Sequence, residues 1–319
     1  MGIFTPWMAS IMGMSAWTGT SPSLRRAATS PTAAGAADDA MQRGEYLFRA
    51  AGCAVCHTDT KHKGAPLAGG RALKTAFGTF YTPNITPDRE TGIGDWSEAD
   101  FDRALRHGID DEGEYLYPAF PYTSYTHLTD SDLHAIRTYL FSRKPVHQVN
   151  RDHELKWYVR YRPLLRFWQM LYFRPGPLPP RPDKSAQWNR GAYLVTAVGH
   201  CGECHTPRNF LGGLEESRRF SGNPDGVEGA DVPNITPDKK SGIGTWSEGD
   251  ITTYLDTGMT PDGDFAGDIM ADVIDDSTSR LTRDDRKAIA TYLMSLPPIE
   301  TVRHEHSHNK KKHRKEDYE

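Results

Sequence analysis

Apolar residues are in short supply: 37% of the 319 positions, with a mean hydropathy of −0.64. No uninterrupted apolar run reaches the roughly 18 residues of a membrane-spanning helix, which excludes an integral helical span. There is no excess of basic residues either; the net charge of −4 excludes a chain built to hold nucleic acid. Cysteine occurs only four times, at 53, 56, 201 and 204. Glycine (29) and proline (22) are plentiful, so loops should outnumber long regular elements. A compact domain with so few core side chains suggests a large apolar cofactor supplying part of its core.

The length allows two ordinary domains, and an internal repeat predicts that number. Residues 83–88 read PNITPD and 92–100 read GIGDWSEAD; 150 residues later the chain reads PNITPD and GIGTWSEGD. Upstream, RGEYLFRAAG from Arg43 matches RGAYLVTAVG from Arg190; downstream, AIRTYL from Ala135 matches AIATYL from Ala288. Each copy has a first helix carrying Tyr46, Leu47 and Ala50 or their equivalents, a cysteine motif, and a Gly/Pro-punctuated loop. A last helix, capped by Thr129 or Thr282, then buries Leu133, Ile136 and Leu140, or Ile289, Leu293 and Leu296. Pro145 and Pro297 mark the ends. The predicted division is 1–37 (leader-like), 38–148 (first domain), 149–187 (basic aromatic linker), 188–300 (second domain) and 301–319 (His/Lys-rich tail). Residues 3–17 are moderately apolar, but no basic residue precedes them; Arg25 and Arg26 follow, so a degenerate export signal or a misplaced start is expected.

Every cysteine lies in one of two motifs, Cys53-Ala-Val-Cys56-His57 and Cys201-Gly-Glu-Cys204-His205. Two thiols at this spacing can add to the two vinyl groups of one haem, and the adjacent histidine is placed to bind its iron. Zinc held by two CxxC pairs would not require a histidine after each, and would give each copy half a site. A redox CxxC explains neither the histidine nor the duplication. Two covalently bound haem c groups are the expectation, and no thiol is left over as nucleophile.

With these motifs the chain resembles the cytochrome c subunits of bacterial periplasmic dehydrogenases for alcohols, sugars and aldehydes. The resemblance rests on CHTPRNFLG at 204–212, the twice-used NITPD and GIGxWSE blocks, and STSxLTxxD at 277–285, and covers almost all of 44–299. It implies a mainly α, loop-rich fold of two tandem cytochrome c domains, each around a covalent haem. It implies electron transfer from a periplasmic dehydrogenase to a cytochrome or oxidase. Covalent haem attachment takes place outside the cytoplasm, so the periplasm is the expected location, with peripheral association with the inner membrane left open. The chain ends in a hydrophilic tail where three-haem members have a third domain, so quinone reduction at a third haem is not expected.

A second axial ligand is usually Met or His. Met270, between the loop and the last helix of the second copy, is the candidate, with Met259 its competitor. The aligned residue in the first copy is Phe120, in Pro118-Ala119-Phe120-Pro121 where the family has Pro-Ala-Met-Pro. His127, His107, Tyr122 or no protein ligand are the alternatives there. An open first haem raises a second reading, a dihaem peroxidase, and a third, a haem-based ligand sensor; neither distal acid–base pairing nor an output domain is evident.

Charge is unevenly placed. Residues 151–184 hold eight Arg or Lys against three acids, whereas 262–276 hold six aspartates and no base, which points to oriented docking on charged partners. Between Lys156 and Arg174 seven aromatic residues alternate with arginines. They are expected to pack across both domains, with some arginines meeting haem propionates; a lipid anchor or dehydrogenase docking face is the alternative.

Overall fold

A computed structural model describes residues 33–301, and side chains from Asp38 onward except that of Asp268. The leader-like stretch before Ala33 and the tail beyond Thr301 lie outside the described residues. The chain is helical and rich in loops, and its helices come in the same order twice. The first half runs α1 (Ala33–Ala50), α2 (Cys53–His57), α3 (Glu98–His107), α4 (Tyr122–Tyr125) and α5 (Asp130–Phe141). Next comes α6 (Leu164–Tyr172), in the segment between the halves; the second half runs α7 (Ala186–Tyr193), α8 (Cys201–His205), α9 (Glu248–Thr257), α10 (Asp268–Asp276) and α11 (Arg283–Met294).

Local sequence accounts for these boundaries. Ser97 and Asp100 form a capping box at the start of α3, and Ser247 and Asp250 form its copy at α9. Thr129 and Thr282 cap α5 and α11 as expected. Leu133, Ile136 and Leu140 are buried, as are Ile289 and Leu293; Leu296 lies past the end of α11 and is half-buried. Within each half the first helix crosses the last, α1 on α5 and α7 on α11. A Cβ on Gly44 would stand 2.0 Å from the Ala135 carbonyl oxygen, and one on Gly191 1.9 Å from that of Ala288, so glycine is what permits each crossing.

The two halves share one apolar core that includes Leu47, Leu133, Val195, Val198 and Leu293. Polar contacts across it are reciprocal. Tyr46 of α1 donates to Asp285 of α11 at 2.6 Å, and Tyr193 of α7 donates to Asp132 of α5 at 2.6 Å. Each carboxylate also holds the arginine of its own half, Arg190 on Asp285 and Arg43 on Asp132.

Residues 149–187 are more than a linker. Asn150 accepts from the Asn84 amide and Leu155 pairs with Gly78, so this stretch completes the first half. It closes an antiparallel sheet of β1 (Ala72–Thr75), β2 (Gly78–Tyr81) and β3 (Glu154–Leu155). Strands this short carry little periodic signal, which is why the sequence does not announce them.

Candidate haem sites

Each cysteine motif is a single helical turn entered through a left-handed residue, Gly52 (φ 62°) before Cys53 and His200 (φ 39°) before Cys201. The loop after each turn folds back in the same way. Gly69 donates to the His57 carbonyl at 2.9 Å and Gly222 to that of His205 at 2.8 Å. The PNITPD blocks then take up position beside the histidines. In each block an asparagine side chain locks the turn: Asn84 accepts from the Thr86 amide and donates to Val146 O, while Asn234 accepts from Thr236 and donates to Ile299 O.

This places Pro83 O 2.8 Å from His57 Nδ1 and Pro233 O 2.7 Å from His205 Nδ1. A carbonyl oxygen only accepts, so Nδ1 carries the proton in both rings and Nε2 keeps its lone pair. Burial lowers the pKa of both histidines, the carbonyl bond opposing it, which favours the neutral ring that can act as a ligand. Burial likewise raises all four thiols, Cys53 and Cys201 to about 12. Among the described residues no three His, Cys, Asp or Glu side chains converge as a metal cage would require. Two thiols and one ring nitrogen of fixed tautomer in each half suit a covalently attached haem with a histidine axial ligand.

The two motifs are neighbours across the core, and each is gripped by the other half. His200, directly before the second motif, lies with Nε2 3.2 Å from Ala51 O, just ahead of the first, and burial with Cys56 and Glu203 raises Cys204 to about 11. Glu203, inside the second motif, accepts from Thr123 (2.6 Å) and Ser124 (3.0 Å) of α4 and pairs with Arg208. Burial alone would raise its pKa; Arg208 and the Thr123 hydroxyl outweigh that and hold it below the ordinary glutamate value. In return the buried Arg71 donates to Val55 O of the first motif at 2.6 Å and pairs with Asp272 of α10 at 3.1 Å. Its Nε has no partner among the described residues, leaving a buried donor beside the first motif.

The distal segments superpose by hydrogen bonding. Ile109 bridges Tyr115 and Met259 bridges Phe265, each pair 150 residues apart from its copy, so the repeat keeps its register in space as far as Tyr115 and Phe265; beyond it Met270 lies within α10, whereas Phe120 precedes α4. Met270 is half-buried against the core, whereas Met259 is 41% exposed. Phe120 also packs on the core, its ring 5.6 Å from Tyr125. Of the alternatives, His107 is exposed at the end of α3, His127 is tethered through Nδ1 to Gly176 O, and Tyr122 is fully buried against Phe173. None of these contacts brings them to the first motif.

Two residues that the sequence reading passed over or left unassigned do reach it. Tyr125 donates to Ala51 O, and His200 Nε2 lies 3.2 Å from the same oxygen with its ring 5.5 Å from Tyr125. The signal was present: RGxYL aligns at an offset of 147 and the cysteines at 148, so His200 is an insertion. The expected packing of the 156–174 aromatics across both halves holds only for Trp168, Tyr172 and Phe173. Trp157, Tyr158 and Tyr161 are exposed in the segment before α6, and Phe167 is exposed on the side of α6 that turns outward. Arg160, Arg162 and Arg174 donate to backbone carbonyls; the buried guanidinium beside the first motif is that of Arg71.

The family model for cytochrome c matches residues 41–144. A protein of Cereibacter sphaeroides named diheme cytochrome c-type is 45% identical, over 81% of this chain and 86% of that one. The fructose dehydrogenase cytochrome subunit of Gluconobacter japonicus is 42% identical over 86% of this chain and 56% of its own length. The cytochrome c subunit of a quinone alcohol dehydrogenase from Gluconacetobacter polyoxogenes is 41% identical over 82% and 57%. The chain thus spans little more than half of these dehydrogenase subunits.

Proposed function

The chain belongs to the cytochrome c family, and on that premise we propose that it is a periplasmic two-haem electron carrier serving a dehydrogenase. Cys53, Cys56 and His57 would hold one haem, and Cys201, Cys204, His205 and Met270 the other. When bound, the haem irons supply reversible one-electron chemistry. The protein's part is positional. Pro83 and Pro233 hold the two imidazoles in the ligating tautomer, and Leu47, Val195 and Leu293 keep water from the core between the halves. Glu203 and Arg71 tie each motif to the opposite half, so the two attachment points keep a fixed separation. A fixed, dry separation favours rapid passage between two centres.

The observation that carries this reading is the twice-repeated histidine–proline carbonyl bond behind a CxxC pair. The donor would be a periplasmic dehydrogenase of the kind named in the relatives, and the acceptor a cytochrome or oxidase. Expression with the c-haem maturation machinery should yield an intact mass increased by two haems. Cys201→Ser/Cys204→Ser should lose one and keep the other; a single adduct in the parent protein, or zinc in its place, would refute the assignment.

Phe120 supports one other reading, a dihaem peroxidase whose first iron lacks a protein sixth ligand. Turnover of peroxide with a reduced small cytochrome would favour it; absence of turnover in the two-haem protein would leave the carrier.

A further inference from the structure

Helix α6 turns an apolar side to solvent. Leu165, Trp168 and Tyr172, spaced three and four residues apart, face the protein. Leu165 is buried, Trp168 Nε1 donates to Leu211 O at 2.9 Å, and the Tyr172 ring lies against Gly213. Leu164, Phe167, Met170 and Leu171 occupy the other side and are 50–67% exposed. Trp157 and Tyr161, shortly before α6 in the chain, are exposed as well, and so is Phe210, next to the Leu211 that Trp168 contacts, at 86%. So many exposed apolar side chains on and beside one short helix are not ordinary surface scatter.

Its charge is equally one-sided. From Lys156 to Arg174 there are five cationic side chains and no carboxylate, in a chain whose net charge is −4. Among the described residues only Arg162 has an acid within 4 Å, Asp110 at 3.8 Å. Arg160 and Arg174 turn to carbonyls, and Lys156 and Arg166 make no ion pair among the described residues.

We propose that this face lies on an anionic lipid surface, with Leu164, Phe167, Met170 and Leu171 among the acyl chains and Lys156, Arg160 and Arg166 among the headgroup phosphates. A helix with one apolar face, flanked by tryptophan, tyrosine and cations of a single sign, matches what a membrane interface offers. Laterally mobile phosphates can meet scattered cations without a preformed pocket. A folded protein partner would have to supply fixed carboxylates opposite each cation and a groove for the ridge at once. No helix among the described residues is long and apolar enough to cross a membrane, so the contact is lateral. It does not depend on the electron-transfer reading.

Flotation of the full haem-loaded chain with vesicles tests it. Vesicles of phosphatidylcholine with phosphatidylglycerol should retain the protein, pure phosphatidylcholine should not, and salt should weaken the retention. Phe167→Ser/Leu171→Ser should lower vesicle affinity about tenfold or more, and Arg166→Gln about fivefold. Because these side chains are exposed, the haem absorption and far-ultraviolet spectra should match the parent. Met170→Ser provides an independent apolar test if the double variant misfolds. Equal binding to both vesicle types, no binding to either, or undiminished binding by the folded variants would overturn the proposal. Capture by a purified dehydrogenase subunit without vesicle binding would instead make the face a protein-docking surface.

Discussion

In the first half α1 runs unbroken to Ala50, and Gly52 swings the chain into Cys53. In the second half α7 passes into a π-helical stretch, Leu194–Val198, before His200 turns the chain into Cys201. One inserted residue accounts for the difference. A helix that must keep its register on both sides of an insertion absorbs it as a wider turn, and such turns tend to occur at functional sites. Here the insertion puts a histidine ring across the boundary, against Tyr125 and Ala51 of the other copy. The distal side diverges too, with Phe120 where the second half has Met270. Duplication kept the scaffold and altered the entry to the second cysteine motif and the aligned position 120/270.

The largest effect should come from what the halves share. Gly44→Ala and Gly191→Ala each drive a methyl group into a helix carbonyl and should each destabilise the protein by about 3 kcal/mol. Near-equal losses in denaturant titrations would support equivalent crossings; a loss at one position only would break that equivalence.

The distal difference should show in potential. Met270→Ala should abolish a sulfur-to-iron charge-transfer band and lower the potential of one haem by on the order of 0.1 V. Phe120→Met should draw the two potentials together. Spectroelectrochemistry decides: a band that survives in Met270→Ala moves the ligand elsewhere, with Met259 first in line. A parent first haem already ligated by methionine would end the claim that the halves differ.

The reciprocal tyrosines should give the smallest effects. Tyr46→Phe and Tyr193→Phe each remove one bond to a carboxylate across the core, at a cost of about 1 kcal/mol each. Burial raises Tyr46, with Asp285 adding to it, and burial with Asp132 takes Tyr193 to about 12, so both donate throughout the neutral range. For Asp285, burial would raise the pKa, but Arg190 and Tyr46 outweigh it and hold it below the ordinary carboxylate value. A carboxylate depressed in the folded state adds stability that is complete above its unfolded pKa and lost as pH falls through the folded value. The stability gap between the parent and Asp285→Asn should therefore be full at pH 7 and close as pH drops below about 4. A gap unchanged by acid would mean that ionisation of Asp285 contributes nothing.

Much of the site was legible before any fold was known. Two CxxCH motifs, a 150-residue repeat and the Met270–Phe120 mismatch are local or self-comparing features, and the bridges at 109–115 and 259–265 keep the repeat in register up to those residues. Helix caps at Thr129 and Thr282 were readable because a cap bonds within three residues of itself.

The partners of Glu203, Arg71 and His200 were not readable. They lie across the core from residues 79 to more than 200 positions away, and no periodicity in a chain encodes such pairings. Nor could composition say which side of α6 faces out, since its residues are apolar on both sides and only the seating of Leu165 and Trp168 settles it. The sequence by itself determined the two CxxCH motifs and the duplication, because those depend on neighbours along the chain. Tertiary structure alone decided how the two copies grip one another, because burial and charge pairing depend on neighbours in space.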